Sequence, residues 1–196
     1  MRVWTSLLHG FLAVTLAICV AAQASATTLM RAGLDELTKS NSTIVVGEIL
    51  DAYSYWNAGG TFILTDVRVT VHEVLKGQVK GGELTFTIMG GTVGELTTLI
   101  VGGAELQPEN SYVLFLDERN LPGVKEKTLT VSDHCQGAFD LVSNGEGLRA
   151  VSQANRHPLV PDRQGSSEPP GGAKGLALDS MVRSIRNLAR TSREVK

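Results

Sequence analysis

Cysteine is nearly absent from this sequence: 196 residues contain two, Cys19 and Cys135. That excludes a disulfide framework and a thiolate zinc cluster. Aromatic residues are scarce, at 5% of the chain. Charged residues make up 19%, too few for a chain disordered throughout. The apolar runs fall short of the ~20 residues a membrane-spanning helix needs. No Gly-x-Ser-x-Gly elbow occurs, which removes the usual serine-hydrolase signature. What the chain does have is glycine, 21 residues against 6 prolines, and a length that suits one domain with accessory segments.

Residues 1–26 have the form of a secretory signal peptide. Arg2 supplies the positive start, Phe11 to Val20 the apolar stretch, and Ala22-Gln23-Ala24-Ser25-Ala26 the small residues a signal peptidase requires. Cleavage after Ala26 and export, to the periplasm or out of the cell, are the expectation. A lipoprotein site at Leu16-Ala17-Ile18-Cys19 is disfavoured by the bulk of Ile18. Loss of the leader takes Cys19 with it. Cys135 then has no internal partner, and the fold must rest on its core.

The mature chain divides into four stretches. Residues 27–42 hold a short helix, with Met30, Leu34 and Leu37 on one face. Residues 43–151 read as successive β-strands. Val67, Val69 and Val71 alternate with Asp66, Arg68, Thr70 and His72, and Leu84, Phe86 and Ile88 alternate with Glu83, Thr85 and Thr87. Tyr112 to Leu116 is continuously apolar and suits a central strand buried on both faces. Further strands are expected near 95–101, 128–132, 137–143 and 147–151, with glycine pairs such as Gly90-Gly91 and Gly102-Gly103 marking turns. Strands at this spacing without intervening helices indicate a mainly β fold, an antiparallel OB-like barrel or sandwich. Residues 152–175, rich in Pro and Gly, read as a flexible linker. Residues 176–196 read as an amphipathic helix, with Leu178, Met181, Val182, Ile185, Leu188 and Ala189 in one stripe.

Charge is unevenly shared. Residues 27–151 carry nine basic and sixteen acidic side chains, and residues 152–196 carry eight basic and four acidic. The bland account docks the basic helix on the acidic β-domain through its apolar stripe. The sharper one places that helix on an anionic membrane or a partner, although its apolar face lacks Trp and Phe. Phosphate binding requires clustered Lys and Arg, so an acidic β-domain argues against nucleic acid.

Catalytic chemistry finds little support. His134 precedes Cys135, and adjacent residues on a strand point to opposite faces, which separates this thiol from this base. His72, His134 and His157 share no metal-ligand spacing, and no metal or other cofactor is expected. Gly90-Gly91-Thr92-Val93-Gly94 lacks the Lys and the following helix of a phosphate loop, and reads as a β-turn. Asn41-Ser42-Thr43 matches a glycosylation sequon, relevant only in a eukaryotic source. One surface feature stands out. Tyr53, Tyr55 and Trp56 gather at the tip of the first hairpin, an interface-like composition, against the alternative that they cap the end of the barrel.

The segments Ile44 to Ile49, Phe62 to Gly77 with its Val71-x-x-Val74-Leu75-Lys76-Gly77 ending, Gly90-Gly91 and Leu106 to Leu116 resemble a group of exported bacterial proteins with no assigned function. So do Gln136 to Phe139 and the Leu178-Asp179 helix. More distantly, the Val-x-x-Val-Leu-Lys-Gly and Tyr112-Val113-Leu114-Phe115 strands are similar to the netrin-like, OB-type barrel of tissue metalloproteinase inhibitors. That resemblance implies the barrel but not the inhibitory mechanism, which uses an N-terminal cysteine where this mature chain has Thr27. Taken together, the sequence implies an exported, non-enzymatic module that binds a protein or peptide, with Tyr53, Tyr55 and Trp56 as its contact patch. A peptidase inhibitor working by loop insertion is the first alternative, and a hydrolase using Cys135 or His134 the second.

Overall fold

The computed structural model describes residues 30–145, 147–157, 160–161 and 168–194. The expected leader and its cleavage site lie outside them. Among the described residues the strands are β1 (Thr43–Trp56), β2 (Ile63–Lys76), β3 (Glu83–Met89), β4 (Gly91–Val93), β5 (Leu96–Thr98), β6 (Ser111–Arg119), β7 (Thr128–Val131), β8 (Ala138–Ser143), β9 (Leu148–Ser152) and β10 (Leu176–Ala177). The helices are α1 (Leu34–Ser40) and α2 (Leu178–Glu194). The main sheet is antiparallel in the order β10-β9-β8-β6-β1-β2-β3, with β7 also on β6, and β4 and β5 form a separate hairpin.

The chain is therefore mainly β, with an antiparallel sheet and two helices. The sheet does not close into a barrel. It curls until β3 lies beside β7, but no ladder joins them. Val131 of β7 pairs with Leu116 and Ala138 of β8 pairs with Leu114, so residues 132–137 leave the sheet in an excursion opposite Phe115. β7 is four residues long and ladders with β6 alone.

Alternation splits the apolar side chains into two cores. Inside the curl Val45, Ile49, Val67, Val69, Phe86, Tyr112, Leu114 and Leu116 pack together. On the opposite, outer face Ile44, Val46, Leu75, Val113, Phe115 and Phe139 meet Leu37 of α1 and Met181, Val182 and Ile185 of α2. β6 feeds both cores from alternate residues, which is why its sequence is unbroken in hydrophobicity.

The helices follow their sequence signals with one difference. α1 begins only at Leu34 because Gly33, extended at φ −77° and ψ 163°, is its N-cap. Met30 thus lies before the helix, is exposed, and bridges Val160. Lys76 at the end of β2 caps the other end of α1, its ammonium donating to the carbonyls of Thr38 (2.7 Å) and Lys39 (3.2 Å). α2 docks through Met181, Val182, Ile185 and Ala189, all buried, and Arg186 pairs with Glu73 of β2.

The stretch 152–175 is not linker throughout. Gln153–Arg156 wind into a 3-10 turn with Gln153 and Ala154 buried, and Gly172–Lys174 form another turn before β10 joins the sheet. Polar side chains supply the hydrogen bonds that a proline- and glycine-rich backbone leaves unmade.

Candidate functional site

β1 is longer than its apolar core suggests, because it continues past a bulge at Ile49/Asp51 through Trp56. Tyr53, Tyr55 and Trp56 are consequently strand residues rather than loop-tip residues, and the turn proper spans 57–62. Asn57, buried, organises that turn: its Oδ1 accepts from the Thr61 amide at 2.9 Å and its Nδ2 donates to the Pro122 carbonyl at 3.2 Å. Strand alternation then divides the three aromatics. Tyr53 and Tyr55 lie on the outer face, rings 6.3 Å apart and 18° from parallel. Trp56 lies on the inner face with Ser54.

The inner face at this end opens into a cleft of about 600 Å³, bounded by Ser54, Thr65, Gly91, the segment 99–107 and His157. β4 crosses its floor. The Thr65 hydroxyl donates to the Gly90 carbonyl (2.7 Å) and contacts Ser54 Oγ (2.8 Å), which in turn accepts from the Thr92 amide (3.3 Å). Gly91 sits at φ +128°, where a Cβ would collide with both hydroxyls, so this crossing demands glycine. The segment expected as a β-turn is instead the first strand of the β4–β5 hairpin.

Beyond β5 the chain does something the sequence did not announce. Leu96, Leu99 and Val101 are 61%, 82% and 84% exposed. The run Leu96-Thr97-Thr98-Leu99-Ile100-Val101 has the composition of a buried strand, yet only Leu96–Thr98 pair, and the remainder projects. Nothing in its composition marks it as surface; the Gly102-Gly103 pair immediately after it is the sole hint that pairing stops.

The projecting segment is held firmly at its base. The Cys135 amide donates to the Gly102 carbonyl at 2.9 Å. Gln153, buried, clasps the Glu105 peptide, accepting from its N–H (2.9 Å) and donating to its C=O (2.7 Å), with a further bond to Asp140 (2.8 Å). Arg156 bridges the carboxylates of Glu105 (2.8 Å) and Asp140 (2.6 Å). The Gln107 amide donates to the Tyr112 hydroxyl at 3.0 Å. Anchoring of 102–107 lowers the entropy that binding through the neighbouring apolar residues would otherwise remove.

His134 and Cys135 do not lie on a strand. Asp133 and His134 are both left-handed (φ 49° and 61°) and start a 3-10 turn, His134–Gly137. Asp133 and His134 line a smaller cleft of about 250 Å³ on the other side of residues 100–104. Cys135 is fully buried, and burial pushes its thiol above the ordinary range. Among the described residues no hydrogen bond joins either side chain to a carboxylate, and no three His, Cys, Asp or Glu residues are grouped to hold a metal. Asn41 of the sequon is buried, with its amide donating to the Leu37 carbonyl at 2.7 Å. No helix among the described residues is long and apolar enough to cross a membrane. Comparison with protein-family models, curated proteins and solved structures finds no match.

Proposed function

We propose that this chain is an exported binding module that engages a protein or peptide partner without catalysing a reaction. The observation that carries the reading is the exposure of Leu96, Leu99 and Val101 on a segment whose base is fixed by Gln153, Arg156 and Cys135. Large apolar side chains exposed this close together in sequence are seldom left to solvent without a use. The adjoining cleft supplies the concave half of a contact. Tyr53, Tyr55 and Trp56 are no longer one patch in this account, since β1 turns them to opposite faces.

The test is the double substitution Leu99→Asp and Val101→Asp. Both side chains are solvent-facing, so the melting temperature should hold within about 2 °C. Crosslinking in the producing cells should give a discrete adduct with the native chain and none with the variant. An undiminished adduct refutes the surface.

The same projecting segment also suits the second reading, insertion into the cleft of a secreted peptidase, with Leu99 as the inserted side chain. Micromolar protein incubated with metallo- and serine peptidases decides it: inhibition lost on Leu99→Asp supports it, and no inhibition removes it.

A further inference from the structure

The outer face of β1, β2 and β3 beyond the helices is a second surface, on the opposite side of β1 from the cleft. Its residues follow from the register. Glu48, Asp51 and Tyr53 of β1 stand opposite Thr70, Arg68 and Asp66 of β2, and these in turn face Glu83, Thr85 and Thr87 of β3; Tyr55 follows Tyr53 on the same side of β1 and covers the buried Leu64. Four carboxylates, those of Glu48, Asp51, Asp66 and Glu83, therefore share the face with the guanidinium of Arg68. Asp51 already engages Arg68 through both nitrogens, and that contact holds its carboxyl below the usual carboxylate range.

Asp66 is built differently. Its Oδ1 accepts two hydrogen bonds, from the Tyr55 hydroxyl at 3.1 Å and from the Thr87 hydroxyl at 2.6 Å. Oδ2 has no partner among the described residues. Two neutral donors fix the carboxylate without neutralising it. Directly across the ladder, Tyr53 presents a ring that is 71% exposed, lying nearly parallel to Tyr55. A cation set against Asp66 Oδ2 meets a fixed negative charge and the π-face of Tyr53 together.

We propose that this face receives a cationic side chain, lysine or arginine, from a basic segment of a partner polypeptide, with Asp66 as its counter-charge and Tyr53 as its platform. The surrounding charge favours that occupant. The face is acidic on balance, four carboxylates against the one guanidinium of Arg68, which draws a basic chain in and repels an acidic one. The surface is independent of the apolar segment Leu96–Val101, so either can fail without the other.

The experiment uses the exported chain with 13C-labelled tyrosine rings. It is titrated with three probes: a capped decapeptide alternating lysine and glycine, its glutamate counterpart, and cellohexaose. The lysine peptide should shift the Tyr53 and Tyr55 resonances, with affinity falling several-fold between 50 and 300 mM salt. Asp66→Asn keeps an oxygen for Tyr55 and Thr87 while removing the charge, and should weaken binding at least fivefold. Tyr53→Ala, at an exposed position, should weaken it about threefold. Glu126→Gln, outside this face, should leave it unchanged. The proposal is overturned if the lysine peptide does not bind, if either variant on the face binds as tightly as the native chain, or if the glutamate peptide or cellohexaose shifts Tyr53 equally.

Discussion

Ile185 is the side chain on which the docking of α2 can be judged. It is fully buried, packed in the outer core with Phe115, Phe139 and Val113. Ile185→Ala removes three carbons, worth about 2.4 kcal/mol at ~0.8 kcal/mol per buried methylene. The cavity left behind raises the cost to about 3–4 kcal/mol. For a chain of this size each kcal/mol moves the melting temperature by about 2–4 °C, so the drop should be about 6–16 °C. Arg183→Ala on the solvent side of the same helix should change it by less than about 2 °C. Thermal unfolding followed by far-ultraviolet circular dichroism measures both. Because the apolar stripe is occupied by the sheet, the native chain should not sediment with anionic vesicles. An Ile185→Ala protein that melts with the native chain, together with vesicle binding, would refute the docked helix and revive the membrane account.

The β4 crossing gives a paired test. Gly94, at φ +62° with open space around it, should accept alanine for about 1–2 kcal/mol, whereas Gly91→Ala should cost clearly more and expose the β4–β5 amides to hydrogen exchange; equal costs contradict the Ser54–Thr65 packing. Gln153→Ala should cost about 1–3 kcal/mol by stranding the Glu105 peptide, and exchange at the amides of 99–107 should rise selectively, with uniform exchange counting against the clasp. Cys135 should resist thiol reagents until the protein is denatured. Burial raises its folded-state value above the ordinary 9.0, so its contribution to stability is complete below that pH and is lost as pH rises through the folded value. Rapid native labelling would contradict the burial.

Much of the fold is written in periodicity. Val67 and Val69 alternate with polar neighbours, Tyr112 to Leu116 run unbroken, and Met181, Val182 and Ile185 recur at helical spacing. Each becomes the core position its pattern implies. The open sheet was not legible, because whether β3 and β7 form a ladder is a property of pairing; nor was the excursion at 132–137, where backbone torsions of Asp133 and His134 divert a strand that composition alone would continue. The candidate site was less visible still. Leu96 to Val101 has the hydrophobicity of a core strand, yet Leu96 to Thr98 pairs only within the small β4–β5 hairpin and the residues after Thr98 join no ladder. Its side-chain anchors are one glutamine and one arginine of a single turn, Gln153 and Arg156, about fifty residues from the Glu105 they hold, a separation that carries no spacing to read. The sequence groups Tyr53, Tyr55 and Trp56 at a hairpin tip, whereas the bulge that extends β1 and the alternation that splits them are properties of pairing.

The most direct measurement places a photo-crosslinking amino acid at Leu99 and, as a control, at Leu148, exposed on β9, and irradiates the producing cells. A single discrete adduct from position 99, absent from position 148, is the result this account requires. Adducts of equal pattern at both positions, or none at position 99, would contradict it.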